Sequence, residues 1–237
     1  MTTIDMTGEV ALVTGAAGNL GRACAAAFAA AGARLVLADR NRGDLEAVHG
    51  AETEDRVLVE CDLTDAGSAA LLVELAASRM GRLDSVANTV GGFHAGPKVE
   101  EDTPEAWSRM LTLNLETAVN LARPAMAAMR AAGGGRICTV AARPALAGVA
   151  GMGAYSASKA ALLRLTETLA AEGLEAGIRV NAVLPSIIDT PENRAAMPKA
   201  DPSKWVAPEA VADVILFLNS DLARAVSGAG VPVYGRS

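Results

Sequence analysis

Short β-rich runs alternate with longer stretches rich in alanine and leucine along the whole of this 237-residue chain. Most positions in the short runs are apolar, without the strict alternation of a half-buried strand, and this predicts strands that are covered on both faces. The seven runs are EVALVTG, RLVLAD, RVLVE, LDSVAN, GRICTVA, GIRVNAVLP and GVPVYG. The pattern therefore predicts an α/β fold with a seven-stranded, parallel, doubly wound sheet and helices on both faces.

The longer stretches predict the helices that connect these strands. They cover residues 19–31, 43–50, 65–80, 104–131, 153–173 and 208–219. No long linker, repeat or low-complexity tract interrupts them, so we predict one domain over residues 1–237. An irregular insertion at about 186–207 follows the carboxyl end of a strand, where doubly wound folds bind ligands. We interpret it as a substrate lid, and an oligomer contact or a structural excursion are the open alternatives.

Charge and composition exclude several classes of protein. The formal net charge of −6 and the aromatic content of 3% are poorly suited to binding phosphates and stacking bases, so no nucleic-acid partner is expected. The cysteines, Cys24, Cys61 and Cys138, show neither metal-ligand spacing nor the pattern of a disulfide scaffold. No apolar run reaches the roughly 18 to 20 residues that span a bilayer, and no export signal is visible. We expect a cytoplasmic protein without a metal or a membrane partner.

A glycine-rich segment, VTGAAGNLGRA, follows the first predicted strand and begins the first predicted helix. Gly15, Gly18 and Gly21 permit a tight turn and a close backbone approach, so that helix amides face a pyrophosphate. Asp39 ends the second predicted strand, where a carboxylate accepts hydrogen bonds from ribose hydroxyls and repels a 2′-phosphate. These features favour NAD and a Rossmann-like fold. The adjacent Arg40 keeps NADP as the less favoured cofactor, and Asp39 as a solvated turn residue is a further alternative.

This turn resembles the TGxxxGxG pattern of the short-chain dehydrogenase/reductase family, and the resemblance extends over nearly the whole chain. Asn19 stands where the middle glycine of the pattern is usual. Asparagine tolerates left-handed backbone angles, which makes the departure a small one. The cofactor contacts that the resemblance implies in this turn are Thr14, Gly15, Gly18, Asn19, Leu20 and Gly21.

Two further segments resemble parts of the family that contact the cofactor. CDLTD places Asp62 and Leu63 at the family's adenine contact, although Asp62 as the start of the next helix is an open alternative. NTVG resembles the family's NNAG. Asn88 is therefore expected to brace the sheet, and Gly91 is expected to let the backbone approach the cofactor.

The segment NAVLPSIIDT resembles the family's NxxxPGxxxT, with Ser186 in place of the glycine. The resemblance implies that Pro185 covers the nicotinamide ring. It also implies that Thr190 and the backbone of Ile188 hold the nicotinamide carboxamide. A simple helix cap formed by Thr190, ahead of Pro191, is the alternative.

Tyr155 and Lys159 lie four residues apart, which puts a phenol and an ammonium on one helix face. In AYSASKAAL they match the family's YxxxK. The resemblance implies that Lys159 binds the nicotinamide ribose and lowers the pKa of Tyr155, so that the phenol transfers a proton while the nicotinamide transfers a hydride. Asn114 matches the asparagine that holds a water in the family's proton relay. A buried polar residue at a helix kink is the alternative for Asn114, and both roles are compatible.

The catalytic serine of the family is missing. Its usual place, thirteen residues before the tyrosine, is Ala142, and Ala141 supplies no hydroxyl either. Thr139 lies on the opposite face of the strand from Ala142 and is a poor substitute. For an ordinary ketone, deletion of one oxyanion donor costs about 10² to 10³ in rate. Either the substrate needs no such donor, another group supplies it, or catalysis has been lost.

Three segments resemble the quinonoid dihydropteridine reductase-like members of the family, which lack the same serine and reduce a conjugated C=N system with NADH. They are VGGFHAG, PALAGVAGMGAY and AVLPSIIDTPENRAAMPKADPSKW. The resemblance implies a small carbonyl or conjugated imine substrate and catalysis by Tyr155 and Lys159 without the serine. A ketone reductase or alcohol dehydrogenase with another donor, and a dinucleotide-binding regulator with vestigial catalysis, are the alternatives.

Several residues near the expected substrate mouth are candidates for the pocket. Phe93 is placed to stack on a planar substrate, His94 to relay protons, and Arg143 to bind an acidic group or replace the missing donor. Structural roles remain open for each of them. The resemblance also implies a homodimer or homotetramer, assembled through helices near Asn114 and Tyr155. The candidate pocket consists of Ala142, Arg143, Phe93, His94, Met152 and Trp205.

Overall fold

The computed structural model describes residues 3–236 and contains a seven-stranded sheet. Its strands are β1 Val10–Thr14, β2 Arg34–Asp39, β3 Arg56–Glu60, β4 Ser85–Asn88, β5 Gly135–Val140, β6 Ile178–Pro185 and β7 Gly230–Val233. They lie in the order β3-β2-β1-β4-β5-β6-β7, and every neighbouring pair is parallel. The predicted fold class is therefore confirmed.

Helices cover both faces of this sheet. They are α1 Asn19–Ala30, α2 Arg42–His49, α3 Ala66–Met80, α4 Pro104–Leu111, α5 Thr117–Ala132, α6 Gly153–Gly173, α7 Pro191–Ala196 and α8 Pro208–Leu218. Val13 belongs to the apolar cluster beneath α1 and α8, whereas its neighbour Leu12 belongs to the cluster beneath α3 and α5. Successive strand residues point to opposite faces. Strands between two helix layers therefore need apolar residues at nearly every position, as in the sequence.

A crevice opens at the carboxyl ends of β1 and β4, because these strands are neighbours while the chain leaves them in opposite directions. The hydroxyl of Thr14 donates a hydrogen bond of 2.8 Å to Oδ1 of Asn88. Both residues end their strands and both are buried. Asn88 thus braces the sheet, as expected, and Thr14 is its partner.

The helix expected over residues 104–131 is interrupted by a π-helical turn at Thr112–Glu116. Within it, the N–H of Thr117 donates to the carbonyl of Thr112, five residues earlier. A π turn carries one more residue than an α turn, and such turns are frequent at functional sites. The turn contains Asn114, which is buried. The interruption therefore coincides with a candidate catalytic residue.

Residues 186–207 are more regular than the sequence suggested. They contain α7, which begins at Pro191 with Thr190 as its cap, the alternative given above for Thr190. Ile188 and Val206 form a parallel bridge, and Trp205 is buried. The bridge ties the two ends of the segment to each other, and the N–H of Ser186 donates to the carbonyl of Val233, the last residue of β7, at 3.2 Å. No helix within residues 3–236 combines the length and the apolar character needed to cross a membrane.

Candidate active site

The glycine-rich turn between β1 and α1 requires glycine at two positions. Gly15 has a φ of +66°, in the left-handed region that other residues rarely adopt. A Cβ at Gly21 would lie 2.1 Å from the carbonyl oxygen of Gly15. The first turn of α1 therefore packs directly on the backbone that leaves β1.

Asn19 is the first residue of α1, and within residues 3–236 only glycines have a positive φ. The expectation that Asn19 replaces glycine by adopting left-handed angles is therefore wrong. Its Nδ2 donates instead to Oε2 of Glu192 in α7, at 2.8 Å, and its Oδ1 accepts from Arg22, also at 2.8 Å. The asparagine thus connects the glycine-rich turn to the 186–207 segment.

A groove of about 520 Å³ follows the carboxyl ends of β1 to β4, within the usual range for a ligand pocket. Asp39 lies in its wall, where Oδ2 accepts from the N–H of Ala17 at 3.0 Å and Oδ1 from the N–H of Arg40 at 2.7 Å. The carboxylate is therefore held in place beside the glycine-rich turn rather than free in solvent. Sequence candidates that line the groove are Thr14, Gly15, Gly18, Asp39, Arg40, Asp62, Leu63 and Gly91.

Asp62 does not cap α3, which removes one of its two interpretations. Asp65 is the cap, and its Oδ1 accepts from the N–H of Gly67 at 2.9 Å. Asp62 accepts from the N–H and the hydroxyl of Thr64, at 2.9 and 2.8 Å. These two donors lower the pKa of the Asp62 carboxyl because they stabilise its charged form. Leu63 beside it is buried.

Tyr155 and Lys159 lie in the first two turns of α6. Nζ of Lys159 donates to the carbonyl of Val140, the last residue of β5, at 2.7 Å. Burial lowers the pKa of Lys159 to about 8 and raises the pKa of Tyr155 to about 12, because an apolar environment disfavours the charged form of each group. In this structure desolvation of the phenol sets the direction of the Tyr155 pKa, and that direction is opposite to the lowering expected from Lys159.

Asn114 approaches the same place from the π turn. Its Oδ1 accepts from the N–H of Gly92 at 2.8 Å, and its Nδ2 donates to the carbonyl of Gly92 at 3.1 Å and to Oγ of Ser158 at 2.9 Å. A Cβ at Gly91 would lie 2.8 Å from Oδ1 of Asn114 and 3.0 Å from Nζ of Lys159. The amide and the ammonium thus both lie on the side of Gly91 where a side chain would begin, and a larger residue there would displace one or the other.

The position of the missing serine is filled by a methyl group. Ala142 is 5% exposed and has an extended backbone. The Thr139 hydroxyl lies 2.9 Å from that of Thr166 on α6, and both side chains are buried. Thr139 is therefore engaged elsewhere and does not replace the serine, as expected.

Phe93 lies against Tyr155, with ring centroids 5.0 Å apart and ring planes at 75°. This is an edge-to-face contact, and Phe93 remains 62% exposed. The next residue, His94, places Nε2 at 2.9 Å from Oδ1 of Asp102, which also accepts from the N–H of Thr103 at the start of α4. His94 thus anchors the loop after β4. Neither a proton relay nor a solvated loop histidine predicts this contact with Asp102.

The other pocket candidates lie around the amino terminus of α6 and the end of β7. The guanidinium carbon of Arg143 is 5.0 Å from the centre of the Tyr234 ring. Met152 immediately precedes α6 and is half-buried. Trp205 is buried at the end of the 186–207 segment, so core packing is part of its role.

Three candidates for the nicotinamide end follow β6. Pro185 is the last residue of that strand and is buried. The carbonyl of Ile188 accepts from Nδ2 of Asn193 at 2.8 Å, and Thr190 Oγ1 accepts from the N–H of Asn193 at 3.2 Å. The helix cap that was the alternative for Thr190 is therefore present.

Four residues with site contacts were not singled out from the sequence: Ser158, Asp102, Glu192 and Tyr234. Ser158 had a local signal, since it directly precedes Lys159 in the YSASK segment. The other three contact residues that are distant in the chain or separated by a loop, and no local pattern marks them. Among residues 3–236, no three or more His, Cys, Asp or Glu side chains are grouped so as to hold a metal ion.

Comparison with known proteins gives consistent matches over nearly the whole chain. Residues 15–235 match the family model described as enoyl-(acyl carrier protein) reductase. D-threitol dehydrogenase of Mycolicibacterium smegmatis is 32% identical over 96% of this chain and 92% of its own length. Cis-4-hydroxycyclohexanecarboxylate dehydrogenase of Sinomonas cyclohexanicum is 36% identical over 96% of this chain and 95% of its own.

A solved structure extends the similarity to the fold. The crystal structure of NAD⁺-bound xylitol dehydrogenase superposes with a TM-score of 0.88 at 27% identity, covering 97% of this chain and 99% of the other. The glycine-rich turn, the sheet order and the Tyr155–Lys159 pair thus occur in a chain similar throughout to named dehydrogenases.

Replacement of Lys159 by methionine gives a pH-dependent change in stability. Below pH 8 the ammonium is charged in both states, so the folded protein bears the full cost of a buried charge. As the pH rises from 8 towards 10.5, the folded protein releases this proton before the unfolded chain does, and stability rises relative to the variant. We expect the advantage of Lys159→Met to shrink by about 2 kcal/mol between pH 7 and pH 10, as measured by urea unfolding.

The matched control is Lys98→Met, which removes an exposed lysine and no buried charge. A stability difference between wild type and Lys159→Met that does not change with pH would show that the buried ammonium is not strained in this way.

Proposed function

This chain belongs to the short-chain dehydrogenase/reductase family, and we propose that it is an NAD-dependent oxidoreductase that exchanges a hydride between nicotinamide and a small carbonyl or conjugated imine substrate. The observation that carries the proposal is the position of Gly91. It lines the groove that contains Asp39, and a Cβ added to it would lie 2.8 Å from Oδ1 of Asn114 and 3.0 Å from Nζ of Lys159. The cofactor groove and the Tyr155–Lys159 pair are therefore continuous.

The residues of the groove fit a dinucleotide. Gly15 and Gly91 each lie where a Cβ would meet neighbouring atoms, at 2.9 Å from Oγ1 of Thr89 and 2.8 Å from Oδ1 of Asn114. Such close backbone surfaces suit a pyrophosphate and a ribose. Asp39 would accept hydrogen bonds from the adenosine ribose, and its charge favours NAD over NADP. The NAD⁺ in the related xylitol dehydrogenase supports the same choice.

The catalytic roles follow from the protonation states. Nicotinamide, when bound, supplies or accepts the hydride. Because its pKa is raised to about 12, Tyr155 is protonated at neutral pH and is prepared to donate a proton during reduction. Lys159 is mainly charged below pH 8 and would hold the nicotinamide ribose. Asn114 fixes the Gly92 backbone through two hydrogen bonds and would position the relay water.

The substrate class has two candidates, each favoured by a different observation. The names of the relatives, a threitol dehydrogenase and a hydroxycyclohexanecarboxylate dehydrogenase, favour an alcohol and its ketone. The methyl group of Ala142 favours a conjugated imine, as in dihydropteridine reduction, because such an acceptor is already polarised. The exposed ring of Phe93 beside Tyr155 supports a cyclic, flat substrate for either chemistry.

Replacement of Tyr155 by phenylalanine tests the reaction itself. We expect NADH oxidation, measured with a panel of cyclic ketones and with an oxidised dihydropterin, to fall by about 10² to 10⁴ in kcat, because the phenol proton is lost. NADH binding, followed by its fluorescence, should persist. Thr168→Val removes an exposed hydroxyl from the same helix and serves as the control. Cofactor binding by wild type without turnover of any substrate would instead indicate a dinucleotide-binding regulator.

Introduction of serine at Ala142 distinguishes the two substrate classes. If the substrate is a ketone that lacks a donor, Ala142→Ser should raise kcat, by up to about 10²-fold. For a conjugated imine, the rate should stay the same or fall, since the pocket is shaped around a methyl group. Ala141→Ser adds the same hydroxyl one position earlier and controls for local disturbance. An equal gain from both variants would remove this interpretation of the alanine.

Replacement of Asp39 by serine tests the cofactor preference. Loss of the carboxylate removes the repulsion of a 2′-phosphate, so the ratio of kcat/KM for NADH over NADPH should fall about tenfold or more. Asp44→Ser, at an exposed position on α2, is the control. Equal use of both cofactors by wild type would contradict the role assigned to Asp39.

A further inference from the structure

Arg143 lies beside the position of the missing serine. It directly follows Ala142, and it lies three residues after Val140, whose carbonyl binds Lys159. It is exposed. Within residues 3–236, ion pairs with carboxylates engage Arg42, Arg79, Arg82, Arg136, Arg164 and Arg194. In the same part of the chain no carboxylate lies within ion-pair distance of Arg143.

The side chain of Arg143 is nevertheless held in position. Its guanidinium carbon lies 5.0 Å from the centre of the Tyr234 ring, which is the distance of a cation–π contact. Arg143 also begins a short 3₁₀ turn, Arg143–Ala145, in which the N–H of Ala145 donates to the carbonyl of Ala142 at 2.9 Å. Pro144 restricts the backbone of that turn.

The Tyr234 ring below the Arg143 guanidinium is itself held in place by neighbouring residues. Tyr234 follows β7 and packs against the apolar cluster formed by Ala141, Leu163, Ala182 and Leu184. Its carbonyl accepts a hydrogen bond of 2.7 Å from Oγ of Ser186, the residue that follows β6. Tyr234 therefore links the ends of β6 and β7 through its backbone and contacts Arg143 through its ring.

The ring contact leaves the N–H groups of Arg143 without a carboxylate partner within residues 3–236. A guanidinium carries five N–H donors in one plane. Two of them on one edge match the two oxygens of a carboxylate. An arginine already restrained by a ring also loses less conformational freedom on binding than a free one.

We propose that Arg143, supported by Tyr234, is the receptor for a carboxylate carried by the substrate. The inference rests on the proposed function and names its substrate class: a cyclic ketone or alcohol with an anionic group remote from the reacting carbon. Recognition of this group would position the substrate at Tyr155, where Ala142 offers no hydrogen bond to the reacting oxygen. The Arg143 guanidinium, which has no carboxylate within ion-pair distance in residues 3–236, would attract an anion to this part of the site.

A matched pair of substrates tests the receptor. We would measure NADH oxidation with 4-oxocyclohexanecarboxylate and with its methyl ester, which differ in charge. Wild type should prefer the acid by about 10-fold to 100-fold in kcat/KM. Arg143→Met should bring that ratio close to one, mainly through the KM of the acid. Arg143→Lys should restore part of the preference, because a lysine keeps the charge without the two-donor edge.

Two further variants make the result specific. Tyr234→Leu should lower the preference less than Arg143→Met does, since the charge remains without its platform. Arg224→Met, which removes an exposed arginine near the opposite edge of the sheet, should leave the ratio unchanged. Measurable but equal rates for the acid and the ester in wild type, or an equal loss for both in Arg143→Met, would overturn the proposal.

A binding measurement separates this proposal from the proposed reaction. Cyclohexanecarboxylate carries the anion but no carbonyl, and its binding to the NAD⁺-loaded protein is measured by calorimetry. We expect wild type and Tyr155→Phe to bind it equally, and Arg143→Met to bind it about tenfold more weakly or worse. If Arg143→Met weakens binding in this way but no ketone is turned over, the result would support the carboxylate receptor and reject the proposed reaction. Equal binding by wild type and Arg143→Met would reject the receptor whether or not turnover is seen.

Discussion

The Lys159 ammonium is a buried cation, and the carboxyl edge of the sheet is arranged around it. A buried charge is costly unless it is hydrogen-bonded, and Nζ donates to the Val140 carbonyl at the end of β5. That bond ties α6 to the sheet and so fixes Tyr155 one helical turn away. It also sets the requirement for glycine at Gly91, since any Cβ there would crowd the ammonium and the Asn114 amide. The end of β5, Gly91 and the π turn that carries Asn114 therefore all lie close to this one group.

The sheet and the cofactor half of the site could be predicted because their signals are local. Continuous apolar runs predict strands that are covered on both faces. Asp39 ends a strand eighteen residues after the last glycine of the turn, a spacing that predicts a dinucleotide site. The contacts that the sequence did not reveal join distant residues, as Asn19 does with Glu192, 173 positions away. The π turn was hidden as well, since residues 104–131 have the apolar spacing of an ordinary helix. The direction of the Tyr155 pKa depends on burial, which no motif records.

A site without the usual serine lacks one hydrogen-bond donor to the reacting oxygen, so substrate binding would depend more on contacts with the rest of the substrate. Around Ala142 the polar groups are committed elsewhere: Thr139 to Thr166, and Ser158 to the Asn114 amide and the Tyr155 carbonyl. What faces outward is the ring of Phe93 and the guanidinium of Arg143. An aromatic ring and a guanidinium are suited to recognise shape and charge, as proposed above. The orientation of a substrate would then be set by its body, and the chemistry by the proton of Tyr155.

The π turn at Thr112–Glu116 sets the length of the chain between α4 and α5. Such a turn amounts to an α-helix with one residue inserted, and a chain one residue shorter would form a single regular helix with the same ends. In that shorter chain, the residues after the deletion would be turned by about 100° relative to those before it. The contacts of the Asn114 amide with both backbone groups of Gly92 depend on the present geometry of this turn. Among homologous chains, insertions and deletions should be rare at this turn, even though a helix surface elsewhere tolerates sequence change freely.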